Sequence, residues 1–313
     1  MAQMTLNEYA KGLPMGTRRA VIEMFAESSD IFQALPFEGM NGPVYENHRQ
    51  VSLPAPAFRG INENSSTGAG RLEPFQEASY LMDHDIDIDI ALVRRYGEER
   101  RAQNERMVIA AAGKKWVDTF IGGDNATEPR EFNGLQARSA LYSRTLANSN
   151  ASGGAALSLA KLDQAINMVN KSGGKSYIIA PFDSIPLWIA AARTTTLSGF
   201  VIQTWDEIGK PKMSYGGLPF LWGYEKDDHT PVLAFDEVGS GGGSAVTASL
   251  YVVCFGEGKV HGLQQSPMAV DDVGLLEDRI TMRTHLSWDV GLVDGHKYSF
   301  ARLTSWTNAA IVA

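Results

Sequence analysis

The sequence predicts an α+β fold in which a mixed α/β unit and a set of long antiparallel strands are built around one very long helix. Three stretches carry that prediction. Residues Ile90–Ile121 are a dense run of helix formers, with Arg94 and Glu98, Arg95 and Glu99, and Arg101 and Glu105 four apart, where side chains meet on a helix surface. Residues 157–194 alternate helical and strand-like patterns, as a mixed α/β unit does. From Gly199 onward, β-branched and aromatic residues alternate in long runs separated by turns, which predicts antiparallel strands.

The helix itself divides in two. After its charged half, Ile109, Ala112, Trp116 and Phe120 recur at helical spacing and draw an apolar stripe. Gly122 and Gly123 then stop it. As one piece it would be about 48 Å long, about three times an average globular helix. The heptad pattern is not sustained, so the expected role is a strut and not a coiled coil.

Composition narrows the function. The 313 residues suffice for one large domain or two ordinary ones, and 44% apolar with 20% charged residues describe a chain able to form a real core. A net charge of −8 argues against gripping nucleic acid through its phosphates. It is compatible with a wall that encloses nucleic acid without sticking to it. The single cysteine, Cys254 in SLYVVCF, excludes an internal disulfide and is expected in a buried strand. No membrane span or signal-peptide pattern is visible, so a soluble cytosolic product is expected.

Taken in order, residues Thr5–Ser28 read as a helix in two pieces broken at Gly12-Leu13-Pro14, suited either to a neighbouring subunit or to its own domain. From Gly39 to Phe75, two extended arms flank a Gly/Ser/Asn-rich tip, and Pro43, Pro54, Pro56 and Pro74 exclude helix. A polar hairpin that cannot bury itself is either a loose surface loop or an arm laid on a partner. In MDHDIDIDI, Asp85, Asp87 and Asp89 alternate with Ile86, Ile88 and Ile90, a strand with one buried face. The spacing lacks the glycine turn and final glutamate of a calcium loop, so a solvated face is expected.

A second helix is expected over Leu157–Asn170, with Leu159, Leu162, Ile166 and Val169 on one face and a Gly173-Gly174 cap. Tyr177–Ala180 reads as a buried strand and Ser184–Thr194 as a helix entered through Pro186. Residues 239–244, GSGGGS, read as a loop inside a domain, since strands resume at once.

No catalytic constellation emerges. There is no nucleophile elbow, zinc-protease helix, CxxC, Walker loop or dinucleotide fingerprint, and Ser172-Gly173-Gly174-Lys175 lacks phosphate-loop spacing. The six histidines are scattered; His285 and His296 are expected at an edge or core rim, and Asp227-Asp228 and Asp271-Asp272 in solvated turns. No enzyme, cofactor or metal is expected.

The order of parts (amphipathic arm, polar hairpin, strand, long helix, α/β unit, closing strands) resembles the major capsid protein of tailed bacteriophages, the HK97-type fold. EPREFNGL at 128–135 is similar to a P-x-x-F-D-G-L segment of one subfamily, with Asn133 in place of aspartate. SLYVVCFGEGKVHGLQ, VDDVG and WDVGLVDGHKYSFARLTSW resemble that subfamily's closing strands. The resemblance implies an N-terminal arm (1–38), an E-loop hairpin (39–75), a P-domain with its spine helix (76–132), an A-domain (133–248) and closing strands shared by both (249–313).

It further implies hexamers and pentamers of an icosahedral head, built in the host bacterial cytoplasm around a separate scaffolding protein, joined to a portal protein and enclosing double-stranded DNA without sequence-specific binding; a cement protein is a further candidate partner. Arg59 and Arg71 of the hairpin, and Arg94, Arg95, Glu98, Glu99, Arg101 and Glu105 of the spine, are the expected contacts between subunits. Residues 39–75 contain no lysine, so no lysine-based cross-link from this loop is expected. An encapsulin-type compartment, a soluble α/β enzyme without a recognisable motif, and a bacterial surface protein are the alternative readings.

Overall fold

The computed structural model describes residues 4–5, 29–96, 99–194, 201–205, 211–222 and 231–313. The amphipathic arm expected over Thr5–Ser28 and the Asp227-Asp228 pair lie almost wholly outside them.

The element order matches the expected α+β plan. A short helix α1 (Asp30–Ala34) follows β1 (Met4–Thr5) and leads into β2 (Pro36–Gly39). The hairpin strands β3 (Val44–Ser52) and β4 (Arg71–Ala78) form a two-stranded sheet of their own, with the tip at 53–70 between them. Strand β5 (Tyr80–Asp89) feeds directly into α2 (Ile90–Tyr96) and then α3 (Glu99–Gly122); Gly97 and Glu98 lie outside the described residues. Asp89 accepts the Ala91 amide proton at 2.7 Å and so opens the helix. At the other end Gly123 donates to Thr119 at 2.8 Å, closing it where the glycine pair predicts.

The remaining strands join one extended sheet. Strands β8 (Lys175–Ala180), β13 (Ala245–Phe255), β14 (Val260–Leu275), β15 (Thr281–Asp294) and β16 (Phe300–Val312) form its body, and the shorter β6 (Thr145–Ala147), β7 (Ala155–Ser158), β9 (Val201–Trp205), β10 (Pro211–Tyr215), β11 (Leu218–Trp222) and β12 (Glu237–Val238) extend it. β13 runs antiparallel to both β8 and β16, and β15 lies between β14 and β5, antiparallel to each.

Strand alternation divides the interior into two cores. Tyr251, Val253 and Phe255 of β13 face a core shared with the spine helix, while Leu250, Val252 and Cys254 face a second one. In the first, Trp116 stacks on Phe120 at 5.2 Å and meets Phe32 at 4.6 Å and Phe132 at 5.9 Å. The helical stripe expected from Ile109, Trp116 and Phe120 is this contact surface, and each buried large side chain contributes about 1.5–3 kcal/mol. The second core takes Leu159, Leu162 and Ile166 from α5 (Leu159–Met168) and Trp188 from α6 (Ile185–Arg193).

Three expectations need correction. Gly173 and Gly174 do not cap α5, which ends at Met168 with Val169 in an extended conformation; the pair forms the turn before β8. Asp271 and Asp272 lie inside β14 and not in a turn, because the pairing with β15 runs past them to Leu275. The aspartates of β5 are exposed as expected, but they are not merely solvated: Arg283 on the adjacent β15 reaches Asp85 at 3.1 Å and Asp87 at 2.7 Å, and His285 Nδ1 lies 2.6 Å from Asp85. The GSGGGS segment is a packed internal loop. A side chain at Gly241 would collide with the backbone of Asn150 and Ala151, so only glycine allows that approach.

Candidate assembly surface: the root and tip of the hairpin

Inward-facing residues of β3 alternate as Tyr45, Asn47 and Arg49, the pleat turning every second side chain toward the body. At the root, Arg49 reaches Asp294, at the end of β15, with a 3.1 Å bond to the carboxylate and a 2.8 Å bond to its carbonyl. Its guanidinium also donates to the Tyr142 hydroxyl at 3.0 Å and sits over the rings of Phe75 and Tyr142, at 4.7 and 4.9 Å.

Beside it lies Arg138 of α4 (Leu135–Leu141), with only 3% of its side chain exposed. Its five N–H donors are all engaged. Nε donates to the Asn133 carbonyl at 2.7 Å; the two terminal nitrogens take Glu77 of β4 bidentately at 2.6 and 3.0 Å, the Asp294 carboxylate, and the Leu292 carbonyl at 2.9 Å. Two guanidinium groups thus face two carboxylates, so the cluster carries no net charge. Burial alone would lower the proton affinity of Arg138, but Asp294 and then Glu77 raise it well above the ordinary arginine value. Burial, followed by the Asp294 charge, also pushes the Tyr142 phenol up.

The segment EPREFNGL presents Arg138. Phe132 and Leu135 are buried under the spine helix, and Asn133 Oδ1 accepts the Asn125 amide proton at 2.9 Å. Gly134 donates to the Gly123 carbonyl at 2.8 Å, and a Cβ there would lie 2.5 Å from the Thr119 carbonyl. A glycine is therefore required for the chain to turn beneath the helix end. A similar close approach puts Gly291 of β15 under the Ala78 carbonyl, where the hairpin leaves the body.

Away from the root, residues 53–70 have no regular structure and are exposed throughout. Phe58 and Ile61 project fully into solvent, and Leu53 is 76% exposed.

The expected contact residues fall into three groups. Arg59, bonded to the Glu63 carbonyl at 2.9 Å, and Arg71, opposite Ser52 at the start of β4, are exposed on the tip and arm. Arg94 and Arg95 are exposed on α2; their partners Glu98 and Glu99 lie outside the residues whose side chains are described. Arg101 and Glu105 pair at 3.2 Å as the spacing predicts, but Arg101 also reaches Asp272 at 2.8 Å and Thr284 at 2.8 Å. That pair binds the spine to β14 and β15 within the subunit. The Arg101 bond holds the Asp272 carboxyl below its usual range.

Sequence reading missed Arg49, Glu77, Arg138 and Asp294, which are up to 245 residues apart and carry no local motif. Phe58 had a visible signal: it is an aromatic residue in a hairpin with too few apolar residues to form a core of its own.

With this geometry in place, relatives can be compared. The profile described as Major capsid protein GP7 matches residues 14–181, more than half of the chain. The chain belongs to that family. It is thus a capsid shell protein of a virion, and the capsid reading of the sequence holds at that level. The fold agrees. A holo-SrpI encapsulin complex from Synechococcus elongatus superposes with a TM-score of 0.62 at 13% identity, over 100% of this chain and 99% of that one. A Mycobacterium phage Bobi structure gives 0.60 at 12%, over 88% and 90%, and the capsid of a native GTA particle gives 0.60 at 10%, over 95% and 92%. At these identities the likeness is one of fold, the HK97-type. No curated protein sequence matches the chain. Among the described residues, no helix is long and apolar enough to cross a membrane.

Proposed function

We propose that this capsid protein assembles into hexamers and pentamers of an icosahedral phage head that encloses packaged double-stranded DNA, and that it has no enzymatic role. The observation that carries this reading is the family match, which spans the hairpin, the spine helix and the first strand of the α/β unit. The hairpin supports it: a two-stranded ribbon standing off the body is marginal by itself and is completed by a neighbour. Arg59, Arg71, Arg94 and Arg95 are available for such contacts, each worth about 0–1 kcal/mol and multiplied by symmetry. A net charge of −8 suits a wall that does not hold its DNA. Scaffolding and portal proteins, and a cement protein, would be separate chains. Assembly would proceed in the host cytoplasm.

A second reading, a compartment that encloses proteins, is favoured by the encapsulin likeness over the full chain. Negative-stain electron microscopy of the protein alone and with a scaffold candidate decides. Closed polyhedral shells, or rings of five and six, support the proposal, and genome-sized diameters separate a head from a small compartment. A 34.1 kDa monomer under every condition would contradict it.

A further inference from the structure

Three turns meet at one end of the large sheet and gather positive charge there. The turn before β8 (170–174) donates the Asn170 amide to the Tyr298 carbonyl at 2.8 Å. The turn between β15 and β16 (295–299) donates the Gly295 amide to the carbonyl of Lys259, which closes the turn between β13 and β14 (256–259), at 2.9 Å. Gly174 and Gly256 pack backbone to backbone where the first and last of these turns touch. Together with Lys175 at the start of β8, the three turns bring Lys171, Lys175, Lys259 and Lys297 against one carboxylate, Glu257, in a chain whose net charge is −8. Arg144, between α4 and β6, adds a fifth cation.

Two of these cations are buried without a carboxylate. Lys259 is 8% exposed and Arg144 9%, and neither forms an ion pair among the described residues. One terminal nitrogen of Arg144 donates to the Met168 carbonyl, while its buried Nε has no partner. Buried lysine and arginine are almost always paired, as Arg49 and Arg138 are at the hairpin root. A charge left unmatched by the fold calls for a partner from outside it.

The Tyr298 ring is the centre of the group. The Arg144 guanidinium lies 4.7 Å from its centroid, the Lys297 ammonium 5.1 Å and the His296 ring 5.1 Å. The two cations therefore stand within about 10 Å of each other, a Debye length at 0.1 M salt, and their potentials add. His296 Nδ1 accepts the Tyr298 amide proton at 3.1 Å, which leaves Nε2 to carry the imidazole proton as a donor. Burial lowers the proton affinity of His296, and Lys259, Arg49, Lys297 and Arg144 lower it further, so the local field is positive.

We propose that this end of the sheet binds a phosphate-class oxyanion, held by the Lys259 and Lys297 ammonium groups, the Arg144 guanidinium and the His296 Nε2 proton. Charged donors gathered around one ring suit a group with two or three anionic oxygens. Free phosphate and the phosphodiester of a nucleic-acid backbone share that chemistry. The site is separate from the hairpin and stands whether or not the chain forms a shell.

The test titrates the full-length unassembled subunit with sodium phosphate against sodium chloride at equal ionic strength, reading the His296 imidazole signals by NMR and heat by calorimetry. A parallel titration uses a short labelled DNA duplex and fluorescence anisotropy. Saturable phosphate binding that shifts the His296 signals is expected. Lys259→Met and Lys297→Gln should each weaken it roughly tenfold or more, and Lys161→Gln, on α5, should leave it unchanged. Lys297 is only half-buried, so its variant decides if Lys259→Met does not fold. Phosphate binding without DNA binding identifies the free oxyanion as the ligand; DNA binding with the same dependence on Lys259 and Lys297 identifies the backbone. No saturable binding of either probe overturns the site, as does binding that Lys297→Gln leaves intact or that Lys161→Gln weakens equally.

Discussion

At the root of the hairpin, Arg49, Glu77, Arg138 and Asp294 meet inside one subunit with their charges paired. At the tip, Leu53, Phe58 and Ile61 are exposed to water. Both ends belong to the same two strands, so the difference is not one of local propensity. The root is polar and buried, where an unmatched charge would cost several kcal/mol, and its two guanidinium groups are balanced by two carboxylates. The tip is apolar and exposed, a cost that a second copy can remove. The contrast separates what the fold completes from what it leaves open to assembly.

The strongest way to break this contrast is Arg138→Ala. It would leave Glu77 and Asp294 with their main partner gone, and the unassembled subunit should lose about 3–5 kcal/mol in guanidinium unfolding. Gly134→Ala acts one step earlier, by forcing the turn that presents Arg138 away from the Thr119 carbonyl; a loss of roughly 1–3 kcal/mol is expected from the same measurement. Arg101→Ala tests the spine's attachment to β14 and β15. Because Asp272 is largely solvated, its loss should stay near about 1 kcal/mol.

The pH dependence sharpens the comparison at the root. His296, next to that cluster in sequence and space, has its pKa pushed below 6.5 by burial and by the nearby Lys259, Arg49, Lys297 and Arg144. The unfolded chain therefore binds its proton more readily than the folded one. Stability should fall as pH drops through about 6.5, and His296→Asn should flatten that part of a pH–melting profile. Phe58→Ala should produce the smallest change of all in the unassembled subunit, within about 0.5 kcal/mol.

Much of this was legible because it is periodic. The Asp85–Asp89 alternation and the Ile109–Phe120 stripe follow from repeats of two and of 3.6, the hairpin follows from its helix-excluding prolines, and the structure realises each one. The second helix was legible in its buried face, Leu159, Leu162 and Ile166, but not at its end, where a nearby glycine pair mimicked a cap. Asp271 and Asp272 looked like turn residues because their role depends on pairing with β15 and on Arg101 of the spine. The root cluster was not legible at all. Arg138 in LQARSAL has no sequence feature that names Glu77 or Asp294 as partners, since their meeting is set by how β4, α4 and β15 converge.

Hydrogen–deuterium exchange on the unassembled subunit and on assembled shells would test the central contrast most directly. The account predicts that amides of β3 and β4 near the root, 44–49 and 73–78, are protected in both states, and that amides across 57–63 gain protection only in the shell. A tip already protected in the lone subunit, or one that exchanges equally fast after assembly, would contradict it.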